Sequence, residues 1–90
     1  MFLSVCRFGL DRIDDLLYIL LRARFLISTR TVVYKNNHNI LDDTRENSIL
    51  KRLGSGSLDK VFVKELWTLI FTHSKHLQYV FLNTKKQTAQ

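Results

Sequence analysis

The sequence predicts an all-α chain of three helices, long, short and medium, and three observations carry that prediction. No proline interrupts any of its 90 residues. Apolar residues recur at intervals of three and four through most of the chain, the spacing of one helix face rather than the alternation of a strand. Loop-forming and capping residues cluster where that rhythm lapses, at Asn36–Asp43 and again at Gly54–Asp59.

The long helix starts near the N-terminus. Leu3, Cys6, Leu10, Ile13, Leu17, Leu20, Ile27 and Tyr34 follow the three-then-four rhythm and form one seam. Arg24 stands where that seam calls for an apolar residue, and a guanidinium in a packed interface needs an anion to meet it. Lys35 falls roughly 20° from Arg24 on the same face, about 16 Å further along; Arg7 lies about 25 Å the other way. The helix runs through at least Arg30. Thr29 to Tyr34 is rich in β-branched residues, which lowers helix propensity, but no turn signal separates it from what precedes, so the helix is carried on to Tyr34. Thirty-odd residues of helix span roughly 48 Å at 1.5 Å per residue. A compact domain of this size has a radius of gyration near 12 Å. Such a helix overshoots its own globule, so it either breaks or packs along a partner chain.

Asn36, Asn37, His38 and Asn39 read as a loop. Asp42, Asp43 and Thr44 are capping types, and Asp43 with Glu46 has capping-box spacing. The short helix that follows carries Ile49, Leu50 and Leu53 and stops at Gly54. After the turn Gly54-Ser55-Gly56-Ser57, Asp59 caps a medium helix running to about Asn83. Its stripe is Phe62, Leu66, Leu69, His73, Leu77 and Val80, with Ser74 and Gln78 four apart on a face beside it. His73 on that stripe reads as a packed histidine, and Cys6 as a small buried hydrophobe. Residues 1–83 form one helical domain, and Thr84 to Gln90 is expected to be a disordered polar tail.

Composition limits the function. The hydrophobic fraction of 46% beside 24% charged residues is that of a globular chain. The longest apolar run, Leu16 to Leu21, is too short for a membrane span, and the N-terminus, broken by Arg7 and Asp11, shows no signal peptide. One cysteine makes no internal disulfide and suggests the cytoplasm. The net charge of +6 suggests an anionic partner. The basic residues are spread without a run, a poor pattern for nucleic acid, so a small polyanion in a cleft is an equally good reading. There is no zinc-ligand spacing, no Cys/His pair at a plausible site and no glycine loop before a helix. Neither a metal nor a cofactor is expected.

What stands out is polar residues on otherwise apolar helix faces: Arg24, Lys35, Ser74 and Gln78, with Arg45 and Glu46 opening the short helix. Taken plainly, these are surface charges and one arginine whose stem lies along apolar surface. In order along the chain, however, they resemble a known family. Arg7 precedes an I-D-x-L-L-x-L-L segment, Ile13 to Leu21. Arg24 closes it, Lys35 follows three turns on, an Asp-x-x-Arg-Glu (Asp42, Arg45, Glu46) opens the second helix, and a Ser-x-x-x-Gln (Ser74, Gln78) lies in the third. This pattern, from Arg7 to Tyr79, is similar to that of the all-α chorismate mutases, small intertwined helical dimers. The chain departs from that family in its Lys35 to Asp42 connection, which has Asn39-Ile40-Leu41 in place of the customary glycine and proline.

The resemblance implies an intertwined homodimer that converts chorismate to prephenate in the shikimate route to phenylalanine and tyrosine, without a cofactor. It implies that Arg24, and Arg7 supplied across the interface, clamp the two substrate carboxylates. Lys35 and Gln78 would address the ether oxygen of the breaking bond. Glu46 would accept the substrate hydroxyl, with Arg45 and Asp42 shaping that end, and Ser74 would support a carboxylate. These residue types suit the task. Arginine grips carboxylates bidentately. An intramolecular rearrangement requires only that the reactive conformer be held and that charge developing on the ether oxygen be stabilised. The alternatives are an isochorismate-pyruvate lyase of the same fold, which needs much the same cations, a basic helical module that binds nucleic acid, and a degenerate family member kept as a binding partner.

Overall fold

The computed structural model describes residues 1–32 and 43–88, with side chains described as far as Thr84. Three helices follow in chain order: α1 (Phe2–Thr31), α2 (Asp43–Gly54) and α3 (Lys60–Thr88). No strand occurs among the described residues, so the all-α reading holds.

α1 is unbroken over 30 residues. Gly9 does not kink it: a Cβ added there would meet nothing, so this glycine lies on open helix surface. At the other end the Thr29 hydroxyl donates to the Phe25 carbonyl at 2.8 Å and that of Thr31 to the Ser28 carbonyl at 2.7 Å. Hydroxyls that back-bond in this way compete with the helix ladder, and the flanking residues are β-branched. The helix therefore ends at Thr31, with Val32 in a turn, short of the expected end at Tyr34, which lies outside the described residues.

α3 is the common support. The turn Ser55–Asp59 folds α2 back along it, and the end of α1 lies against its second half. The Asp59 carboxylate accepts from the Phe62 N–H at 3.0 Å, the expected N-cap. Asp59→Ala should destabilise the fold by about 0.5–2 kcal/mol, read from the shift of the denaturation midpoint. At its far end α3 runs past Asn83 to Thr88, so most of the segment expected as a loose tail is helix.

Among the described residues the buried apolar side chains are few: Val32, Ile49, Val63, Ile70 and Phe71, with Ser74 and Gln78 buried beside them. The inward face of α3 is thus Val63, Ile70, Phe71, Ser74 and Gln78. The stripe expected to face inward, Phe62, Leu66, Leu69, His73, Leu77 and Val80, is rotated by roughly 110° from it at 100° per residue. Its members Phe62, Leu69, His73 and Val80 are exposed. His73 is not packed in a core but sets its ring edge against Phe25 at 4.9 Å. Periodicity found an apolar face on α3; the helix has two, and in the single chain the partly polar one is covered.

α1 departs furthest from a compact arrangement. None of its residues is buried, and its expected seam, Leu3, Cys6, Leu10, Ile13, Leu17 and Leu20, is exposed along its whole length. Cys6 is accordingly not a buried hydrophobe in the single chain. The molecule measures 60 × 29 × 17 Å, with a radius of gyration of 16.9 Å where a compact chain of this length has about 12 Å.

Candidate active site

The site forms where the last turns of α1 lie along α3. Arg24 and Ser28 are one turn apart on α1, and Ser74 and Gln78 are one turn apart on α3. The two helices run in the same direction here, so the turns match. Arg24 Nη1 donates to Ser74 Oγ at 3.3 Å. One turn on, Gln78 Nε2 donates to the Ser28 carbonyl at 2.8 Å and to Ser28 Oγ at 3.0 Å. The Arg24 guanidinium also lies over the Phe71 ring, 5.6 Å from its centre, a cation–π contact on the apolar floor. These contacts explain two polar side chains in the core: Ser74 is 6% and Gln78 4% exposed, and each has its partner across the helix pair.

Arg24, Ile27, Ser28, Thr31, Arg45 and Gln78 line an open cleft of about 190 Å³. Both charged side chains among its described lining residues are arginines. Burial lowers the Arg24 pKa below the ordinary arginine value, and the charge of Arg45 lowers it further. Both act against the charged form. No ion pair among the described residues includes Arg24, whose polar partner is a neutral hydroxyl. An anion entering the cleft would oppose both effects.

The structure thus brings together Arg24, Arg45, Ser74 and Gln78, as the sequence suggested. Glu46 follows Arg45 on α2 but does not line the cleft. Its Oε2 pairs with Lys75 Nζ at 2.9 Å, in a half-buried contact that ties α2 to α3. Arg7 is exposed on the uncovered half of α1, about 25 Å from Arg24 along the helix axis, so within one chain it does not join the site. Lys35 and Asp42 lie outside the described residues.

Two residues escaped the sequence reading. Ser28 had one signal, its step of four from Arg24, but a serine on a helix face ordinarily reads as a solvated position. Lys75 had none, because its pairing with Glu46 joins two helices whose packing the sequence does not state. No group of three or more histidine, cysteine or acidic residues is placed to hold a metal among the described residues. Nor, among them, is any helix long and apolar enough to cross a membrane.

The family model of chorismate mutase type II matches residues 6–79 of the chain. No curated protein and no solved structure matches it.

Proposed function

The chain belongs to the chorismate mutase type II family, whose model covers residues 6–79, and from that premise we propose that the cleft between α1 and α3 is its active site. Its activity is the isomerisation of chorismate to prephenate, in the shikimate route. The reaction breaks a carbon–oxygen ether bond and forms a carbon–carbon bond within one molecule. It therefore needs no nucleophile, but it does need the substrate folded and the ether oxygen stabilised as it gains charge.

One observation carries the assignment of the site: Arg24, partly buried, has no carboxylate partner among the described residues and shares a small cleft with Arg45. A dianionic substrate supplies that charge. In this reading Arg24 grips one carboxylate with Ser74 in support, and Arg7 of the partner subunit takes the other. Lys35 and Gln78 serve the ether oxygen. Glu46, next to Arg45 but outside the lining of the cleft, is given the substrate hydroxyl by the family resemblance alone. Arg45 and Asp42 shape that end.

The homodimer is supported by surface area. The single chain exposes 7820 Å², whereas a compact monomer of 10.6 kDa exposes about 5,500 Å², an excess of about 2,300 Å². That is what one subunit of an obligate dimer covers. Moreover, the face of α1 that meets α3 through Arg24 and Ser28 continues toward the N-terminus as Leu17, Leu10 and Leu3, a stripe made for a second helix. A cytoplasmic setting agrees with the single free cysteine.

The direct test is prephenate formation from chorismate by the purified, folded chain; a folded chain that forms none would remove the reading. Gln78→Glu tests the site itself. A carboxylate facing developing negative charge is unfavourable, whereas a protonated carboxyl donates as the amide does. The variant should be poorly active at neutral pH and recover as the pH falls, while the wild-type profile stays flat over the same range. Full activity with an unchanged profile would take Gln78 out of the site.

A further inference from the structure

The ion pair between α2 and α3 gives work to a residue that the family pattern does not name. Glu46 Oε2 and Lys75 Nζ lie 2.9 Å apart, and the two side chains are only 22% and 24% exposed. The pair borders the cleft on both helices. Glu46 follows Arg45, which lines the cleft, and Lys75 follows Ser74, whose hydroxyl accepts from Arg24 Nη1. Within α2 the buried residue is Ile49, three positions after Glu46 and on the same face. One buried side chain acts as a pivot, so a second contact is needed to fix the first turn of α2 against swing. Glu46 with Lys75 supplies it.

We infer that Lys75 is a positioning residue of the active site: through its ion pair with Glu46 it fixes the first turn of α2 against α3, and so sets Arg45 at the cleft with Glu46 next to it. This deepens the reading of the cleft as the active site and rests on it. The physical step is desolvation. The Glu46 carboxylate is mostly covered, and once its cation is removed it gains by turning out to water. The turn that carries it takes Arg45 along. A guanidinium displaced by about 1 Å loses much of its hold on a bound anion, because such contacts depend on exact placement. Lys75 therefore acts on the reaction through Glu46 and not by touching the substrate.

Lys75→Met keeps the apolar stem and removes the charge. Measured on the intact chain with chorismate, it should lower kcat/KM by about 5- to 50-fold. Lys75→Arg restores a cation for Glu46 and should stay within about threefold of the wild type. Amide hydrogen exchange at the start of α2 should quicken by about threefold or more in Lys75→Met and stay unchanged in Lys75→Arg. Should Lys75→Met fail to fold, Lys75→Gln, which keeps a donor to Glu46 without the charge, takes its place in each measurement. The decisive measurement is the cycle with Glu46→Ala. If Lys75 acts through Glu46, adding Lys75→Met to Glu46→Ala should lower kcat/KM by no more than about twofold further. Wild-type kcat/KM in Lys75→Met overturns the inference, as does unchanged exchange in α2. An additive cycle also overturns it, since Lys75 would then act on the substrate directly. All three outcomes leave the active-site reading standing. Wild-type turnover by Arg24→Ala overturns both.

Discussion

Arg24→Ala and Arg7→Ala are each expected to leave a folded protein almost without activity, and the two dead proteins, refolded together, are expected to regain about a quarter of the sites. Each variant removes one charge-assisted grip on a substrate carboxylate, an interaction of order ~2–5 kcal/mol, which is roughly 30- to several-thousand-fold in kcat/KM. Arg24→Lys should recover little, since an ammonium cannot reproduce the fork of a guanidinium. The mixing result follows from geometry. About 25 Å of helix separates Arg7 from Arg24, too far for one small dianion to bridge within a chain. If Arg7 of the partner subunit meets Arg24, two-fold symmetry makes Arg24 of the partner subunit meet Arg7. The two copies of α1 then run antiparallel and cross near Asp15 and Leu16, midway between the arginines. A mixed dimer holds one doubly mutated site and one intact site. Random pairing makes about half the dimers mixed, hence the quarter. Activity is read as prephenate formation and the mixed dimer is verified with a tag on one variant. Verified mixed dimers as inactive as their parents would show that Arg7 does not act across the interface.

The fold class was legible because helix periodicity over thirty residues is a strong local signal. The capping of α3 by Asp59 was legible for the same reason: N-caps are short-range chemistry. Legibility stopped where the question became which of several apolar faces is covered. α3 presents Val63, Ile70 and Phe71 on one side and Phe62, Leu69 and Val80 on another, and sequence spacing weighs the two alike. The choice falls to Ser74 and Gln78, which bring their own partners, Arg24 and Ser28, across the helix pair. A polar residue with a partner in place buries at little cost, whereas the same residue alone reads as surface. Sequence gives the residue and not the partner. The same gap hid Lys75, whose role depends on the turn after Gly54 bringing α2 back to set Glu46 beside it. Arg24 was different. Its placement on an apolar seam was anomalous within its own helix, so it was visible without any partner being known.

That seam supports the other large effect. Leu17 lies on the stripe that meets α3 further along, yet in the single chain it is 53% exposed. If a second α1 covers it, Leu17→Asp puts a carboxylate into the contact twice, once from each subunit. Lost leucine burial and carboxylate desolvation together cost about 2–4 kcal/mol per copy, so dimer affinity should fall roughly a thousandfold or more. The single chain has few means to absorb that loss. Among the described residues five apolar side chains are buried, a small core for a 60 Å-long molecule. At micromolar concentration the wild type should therefore scatter light as a dimer, whereas Leu17→Asp should lose helical circular dichroism, dimer mass and prephenate formation together. Asp11→Asn, on the polar side of the same helix, should change none of the three. A Leu17→Asp protein that stays helical, dimeric and active would mean that the exposed stripe of α1 is not the interface, and one that is monomeric yet active would end the assignment of Arg7 to a neighbouring subunit.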